Sequence, residues 1–277
     1  MKRISIITAI HNGIDLNRIF IEYLKKYTVN TYELIIIDNV STDGSREFFK
    51  QCGAIVIEND GNYSYPHCQN QGIAVATGEH LFFLNNDIIV SPRWDERLIE
   101  TANKNGVDII SAKGVENMGS KKLDKQFDLR WKLSKNPFVL LGFTARNLRI
   151  MHKLMYGNWE MFCDKQYAIY GNNIVEGIVG NNVMMTRRAL EKVGLWDEQI
   201  QGADWDLYMR TKKRSMEYGD IKPCQVALGV FIHHFVRMTS KYSQAKPTPF
   251  ADAAKLMNFN DKWSREEIDV YGIKPNK

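Results

Sequence analysis

The sequence predicts an α/β protein with a doubly wound, mostly parallel sheet. Three observations carry that expectation. Short, nearly continuous β-branched runs, such as Ile4–Ile10 and residues 34–37, read as strands buried on both faces. Stretches with apolar residues at helical spacing separate them, and strand–helix–strand order implies right-handed parallel crossovers. The runs give way to polar residues, Asn12, Asp38 and Asp87. Ligands of such sheets bind at the carboxyl ends of the strands, so these positions are where a site is expected.

Taken in order, Ile4–Ile10 is broken by His11-Asn12-Gly13, and residues 16–27 place Leu16, Ile19, Phe20, Tyr23 and Leu24 on one helical face. Residues 33–38 form a second strand, a helix starts near Ser45, and residues 54–58 form a third strand. A helix is expected over 70–77 and a strand over 81–84, stopping at Asn85-Asn86-Asp87. After Ser111 the pattern loosens into a basic, aromatic-bearing stretch interrupted by Pro137. A strand is expected within 177–187 and a short helix over 188–193, closed by Gly194. A further helix over 204–214 carries acids first and bases last, as the helix dipole prefers. Residues 226–232 form a last buried strand that delivers His233 and His234, and the tail is expected to pack a helix around Leu256, Phe259 and Trp263. The organisation expected is a first half over 1–115, a second half of the same domain over 116–240, and a helical tail over 241–277.

Composition narrows the class. The 277 residues are 44% hydrophobic and 25% charged, with 7 Pro and 19 Gly, which excludes disordered, collagen-like and coiled-coil chains. The apolar runs fall well short of the roughly 18 to 20 residues that span a bilayer. The four cysteines lack Cys-x-x-Cys spacing, so neither a zinc knuckle nor a disulfide framework is indicated. A reduced, cytoplasmic setting is expected, with peripheral placement at the inner face of a membrane compatible with it. Net charge is only +5, yet residues 119–155 hold nine Lys or Arg against two Asp, a local balance of +7. Phe127, Trp131, Phe138, Leu140 and Leu148 interleave with those charges. A solvated surface is the plain reading, and docking on an anionic membrane or a pyrophosphate-linked lipid acceptor is the alternative.

Single residues leave choices open. Asp87 after two asparagines is a good turn, and equally a hard oxygen ligand for Mg²⁺ or Mn²⁺. Asp43 or Ser41 suits the capping of the helix after Asp38. His233 and His234 face opposite sides of a strand, so only one can enter a site. The six tryptophans are core residues by default, with Trp205 the best placed for stacking on a sugar.

Together, Ser5-Ile-Ile-Thr-Ala-Ile-His-Asn12, Leu34-Ile-Ile-Ile-Asp-Asn-Val-Ser-Thr-Asp-Gly-Ser45, Asn70-Gln-Gly-Ile-Ala-Val-Ala-Thr-Gly-Glu79, Leu81-Phe-Phe-Leu-Asn-Asn-Asp87, Val193-Gly-Leu-Trp-Asp-Glu198, Asp204-Trp-Asp-Leu-Tyr-Met-Arg210 and His233-His-Phe235 resemble the family 2 inverting glycosyltransferases of GT-A fold. The resemblance covers residues 1 to about 240. It implies a nucleoside-diphosphate sugar donor (UDP-, dTDP- or GDP-linked), a Mn²⁺ or Mg²⁺ cofactor and a glycan or lipid-linked acceptor. A homodimer is compatible with it, and no nucleic-acid partner is expected.

Carried over by position, the resemblance gives Asp38 to the base, with Thr8, Ala9 and Asn12 lining that pocket and Asn70 on the nucleotide side. Asn86 matches the ribose-side residue, Asp87 the metal ligand, and His234 the histidine completing the diphosphate and metal site. Asp204 matches the catalytic base, and Trp205, Asn181 and Asp206 are candidates on the donor-sugar and acceptor side. Asp206 competes for the base role, but two residues on in a helix it points to a different face and is kept as a helix-stabilising residue.

The chain departs from the family pattern at three points. Asn85 and Asn86 replace the acid usual before the last aspartate, as in rhamnosyl and cell-surface polysaccharide transferases. Ala203 precedes Asp204, and Gln69 replaces a common base. The mechanism implied is one displacement, a divalent cation stabilising the departing diphosphate and Asp204 taking the acceptor proton.

Two readings from other classes compete. A sugar-nucleotide nucleotidyltransferase would carry a Gly-rich phosphate loop near its start, and His11-Asn12-Gly13 is not one. A non-catalytic protein binding an anionic surface or nucleic acid would use the basic stretch instead.

Overall fold

The computed structural model describes residues 3–114, 121–138, 141–235 and 248–273. Eight strands form one mixed sheet, in the order β3-β2-β1-β4-β8-β6-β9-β7. They are β1 (Ile4–Ile10), β2 (Tyr32–Asn39), β3 (Ile55–Asn59), β4 (His80–Leu84), β6 (Ile109–Lys113), β7 (Ile174–Glu176), β8 (Asn182–Thr186) and β9 (Gln225–Phe231). The first four run parallel, as expected. Strand β8 enters antiparallel between β4 and β6, and β7 is antiparallel to β9. A two-stranded ribbon, β5 (Ile88–Ile89) against β10 (His233–His234), stands apart from the main sheet.

Alternation along the strands divides the core into two layers. Ile4, Ile6 and Ile10 of β1 pack with Leu34, Ile36, Phe82 and Leu84 under α1 (Ile14–Tyr27) and α4 (Trp94–Asn105). Ile7 packs with Ile35, Ile37, Leu81 and Phe83 on the opposite face, under α3 (Tyr65–Val75), α8 (Arg187–Val193) and α9 (Ala203–Tyr218). Helix α3 sits so close that a β-carbon added at Gly72 would strike Ile7. It begins five residues before the expected start, because Pro66 in its first turn supplies a helical φ where no backbone N–H is needed. Helix α2 (Ser45–Gln51) follows Gly44, whose φ of 86° closes the preceding turn.

Residues 121–170 fold into α5 (Lys121–Lys135), α6 (Ala145–Tyr156) and α7 (Trp159–Tyr170) rather than a loosened chain. Pro137 lies in the 3-10 turn Asn136–Phe138 that ends α5, while Thr144 and Asn158 cap the next two helices through their side-chain oxygens. Within the basic stretch, residues 119–120 and 139–140 lie outside the described residues. The tail forms two short helices instead of one, α10 (Phe259–Lys262) and α11 (Arg265–Tyr271). Capping boxes on Asn258 and Ser264 restart the helix after each break, with Trp263 buried between. Residues 241–247 and 274–277 of that tail lie outside the described residues.

Candidate functional site

The carboxyl ends of β1 and β2 are held by a dense polar mesh. Asn12 adopts φ 61° and accepts from the Thr42 backbone N–H at 2.8 Å, while its own N–H donates to Ser41. Asp43 accepts from Ile14 N and Ser45 N, so it caps the start of α1 as well as serving its own turn. Asn17 donates to Ser45 Oγ and accepts from Asn86 at 2.7 Å, tying β1, β2 and β4 together. Val40 sits at φ 51°, a left-handed conformation that a β-branched residue adopts only when its surroundings impose it. The imposing bonds are Ser41 N to Asp38, and His11 Nδ1 to the Asn39 carbonyl.

The residues expected on the nucleotide side separate here into rim and interior. Ala9, Asn12 and Asn86 are partly exposed at the rim. Thr8 is fully buried, its hydroxyl without a partner among the described residues. Asp38 is 0% exposed and accepts from Arg46 Nε at 2.6 Å, a partner that sequence reasoning missed although it stands at the first turn of α2. Asn70 points elsewhere: its amide exchanges hydrogen bonds with the Trp196 backbone and donates to Glu198, fixing the loop before α9.

Strand β4 delivers Asp87, and the ribbon delivers its neighbour. Pairing of His234 with Ile88, and of Phe235 N with the Asp87 carbonyl at 2.9 Å, brings His234 Nε2 to 3.4 Å from Asp87 Oδ1. His233 turns the other way, into Trp131, His152, Tyr156 and Phe235, and Tyr156 Oη meets its Nδ1 at 2.9 Å. Burial, with His152 and His234 adding, holds the His233 imidazole far below its ordinary pKa. Only His234 therefore faces Asp87. A carboxylate oxygen and an imidazole nitrogen converging there suit Mn²⁺ or Mg²⁺ as part of a ligand set. Among the described residues no group of three or more His, Cys, Asp or Glu could hold an ion. The remaining positions would fall to phosphate and water.

The start of α9 packs on the loop before β8. Asp204 packs so tightly on Gly180 that a β-carbon there would run into its carboxylate. The neighbouring Asn181 carbonyl accepts from Asn85 N at 3.0 Å, which links this loop to the Asn85-Asn86-Asp87 turn. The Asn181 side chain is buried and accepts from Asn182 at 2.6 Å. Burial, then the Asp204 carboxylate, push the Tyr65 hydroxyl well above the ordinary tyrosine range. Trp205 is 50% exposed beside them.

Asp206, a sugar-side candidate also read as helix-stabilising, serves as an anchor. It is 0% exposed and accepts from Lys262 at 2.5 Å, Arg210 at 2.7 Å and Trp263 Nε1 at 3.0 Å. Lys262 also holds Asp197 at 2.5 Å, so the tail clamps the first turn of α9 and the loop before it. Two residues apart on a helix, Asp204 and Asp206 face different ways, and the buried one is taken.

Comparison with known proteins places this architecture. The sequence profile described as "Glycosyl transferase family 2" matches residues 5–194. The glycosyltransferase GlyG of Streptococcus pneumoniae is 22% identical over 214 residues, covering 67% of this chain and 70% of that protein. The poly(ribitol-phosphate) beta-N-acetylglucosaminyltransferase TarP of Staphylococcus aureus is 34% identical over 133 residues, covering 43% of this chain and 39% of TarP. Among solved structures, the mannosyltransferase PcManGT of Pyrobaculum calidifontis, in complex with GDP-Man and Mn²⁺, superposes with a TM-score of 0.51 at 16% identity. That likeness covers 82% of this chain and 57% of the mannosyltransferase, and it shows the shared fold.

Proposed function

This chain belongs to glycosyl transferase family 2, a glycosyltransferase of GT-A fold, and from that premise we propose that it moves a sugar from a nucleoside-diphosphate donor to a hydroxyl acceptor by a single inverting displacement. One observation supports the reading: the Asn85–Asn181 hydrogen bond joins the turn that bears Asp87, the neighbour of His234, to the loop whose Gly180 packs on Asp204. A PcManGT complex holding GDP-Man and Mn²⁺ supports the donor and cofactor class. The name of TarP, a poly(ribitol-phosphate) transferase, supports a hydroxyl-bearing polymer as acceptor.

In this scheme the rim at Ala9, Asn12 and Asn86 takes the nucleoside, and Asn86 is held in place by Asn17. Asp38 sets the shape of that pocket through Arg46 and the Ser41 turn. Asp87 and His234 would hold Mn²⁺ or Mg²⁺, which when bound stabilises negative charge on the departing diphosphate. Asp204 accepts the proton of the acceptor hydroxyl as that oxygen bonds to the anomeric carbon and the carbon–phosphate-oxygen bond breaks. Trp205 offers an exposed aromatic face for the acceptor sugar.

Calorimetric titration of UDP, dTDP, GDP and CDP, with and without Mn²⁺, on the natural chain and on Asp87→Ala, tests the scheme. Binding of one nucleotide that requires Mn²⁺ and is lost in the variant is expected. Failure of all four under both conditions refutes it.

A further inference from the structure

The helices of residues 121–170 carry an outward pattern that the transfer chemistry does not use. On α5, Trp131 and Ser134 are buried, while Leu129 and Leu133 on the opposite side are 59% and 66% exposed. Lys125 precedes them at the same spacing, so base, leucine and leucine stand at i, i+4 and i+8 along one face. Helix α6 repeats the arrangement: Leu148, Met151 and Met155 are buried, and Arg146, Ile150 and Leu154 form the same outward row. Seven of the sixteen exposed large apolar side chains among the described residues lie within 121–170. Exposed apolar side chains gathered so densely mark a contact surface rather than scatter. Arg130, Arg146 and Lys153 are exposed and take no ion pair among the described residues.

These helices also adjoin the site. Trp131 packs on His233 at 5.1 Å and on Phe235 at 6.0 Å, the two residues flanking His234. At the start of α6, Ala145 N donates to Asp15 at 3.0 Å, three residues past Asn12.

We propose that α5 and α6 form a docking surface for an anionic lipid bilayer, the exposed leucine and isoleucine pairs entering the headgroup layer and the arginines and lysines meeting lipid phosphates. An apolar strip flanked by bases is the chemistry that an anionic interface selects, since soluble polyanions offer nothing for leucine to bury in. The exposed row faces away from the ribbon, with Trp131 on the inner side of α5 between them, so docking would hold the chain at the bilayer where a lipid-linked acceptor presents its hydroxyl. The consequence for the acceptor rests on the transferase reading, and the surface itself does not. Among the described residues no helix is long and apolar enough to cross a membrane.

Co-sedimentation of the full chain with vesicles tests it, in the absence of nucleotide and cation. Vesicles of phosphatidylcholine mixed with phosphatidylglycerol should carry the protein down at low salt and release it at high salt, and phosphatidylcholine alone should not. Leu129→Gln with Leu133→Gln should abolish binding. Arg146→Gln with Lys153→Gln should weaken it about fivefold for each charge removed. Thermal melting checks that both double variants stay folded, and the charge pair decides the question if the leucine pair does not. No binding to the mixed vesicles overturns the proposal. So does binding that both variants retain, or binding to soluble RNA that the leucine pair leaves unchanged. Nucleotide titration is read in solution without vesicles, so failure of one reading is seen apart from failure of the other.

Discussion

Acid sensitivity follows from one ring in the core. His152 of α6 is 3% exposed, packed among Tyr23, Tyr156, Trp159 and His233, and desolvation pushes its pKa from 6.5 down to about 3. The unfolded chain protonates this imidazole near the ordinary value and the folded chain does not, so unfolding takes up a proton between the two. The contribution to stability is present above pH 6.5 and is lost as the pH falls toward 3. The linkage relation gives about 2 kcal/mol lost between pH 7 and pH 5 through this ring alone. His152→Phe keeps an aromatic ring against Trp159, whose centroid is 4.7 Å away, and removes the titration. Urea unfolding across that range should therefore show the variant gaining about 2 kcal/mol on the natural protein between pH 7 and pH 5. In melting temperature the gain is about 4 to 8 °C. His233 shifts in the same sense but is present in both proteins, so it cancels in the difference to first order. Parallel stability curves for the two proteins would refute the reasoning.

Three further outcomes are expected. Lys262→Met strips one cation from a fully buried carboxylate that keeps Arg210 and Trp263, and should lower stability by about 2 to 3 kcal/mol, read as an earlier thermal transition. A change below about 0.5 kcal/mol would mean that the clamp on α9 carries no weight. Gly180→Ala should displace the Asp204 carboxylate and reduce kcat by about a hundredfold or more while nucleotide affinity holds, measured by diphosphate release and calorimetry side by side. Asp204→Asn should reduce kcat by about 10² to 10⁴ without weakening the nucleotide, and an unchanged rate would remove it from the base role.

The first four parallel strands and the helices between them were legible because each has a local cause: a β-branched run long enough to be buried twice, or a single apolar stripe. Strand β8 was legible as a strand but not in its direction, since nothing in Asn182–Thr186 records that its partners run the other way. Helices α5 to α7 were obscured for a related reason. Apolar residues lie on their outer faces as well as their inner ones, so Leu129 and Leu133 blur the period that Phe127, Trp131 and Ser134 set. At the site, the choice between Asp204 and Asp206 depended on spacing within one helix, and the reasoning that they face apart was available from sequence. Lys262, 56 residues further on, was not. Asn70 misled because an Asn-x-Gly pattern specifies a side chain at a helix turn without saying which loop will fold back to take its amide.

The acids of the site edge also explain how one carboxylate can stand where the family usually has two. Asp38 is neutralised by Arg46, Asp43 is turned onto backbone N–H groups, Glu198 is held by His67 and Asn70, and Asp197 and Asp206 share Lys262. A donor diphosphate bound as proposed between Asn12 and Asp87 would meet acids already engaged by partners, without the repulsion that a second acid beside Asp87 would add. In the proposed scheme Asp87 and His234 would form only a weak cation site by themselves, because Mg²⁺ takes about six ligands and gives up its water reluctantly. A donor diphosphate would supply further oxygens. Cation and nucleotide should accordingly bind as one unit, each raising the affinity for the other by the same factor, as linkage requires. Replacing Asn86 by aspartate would add a carboxylate beside Asp87, which should strengthen the cation alone and weaken that coupling, read by titrating Mn²⁺ and nucleotide each with and without the other.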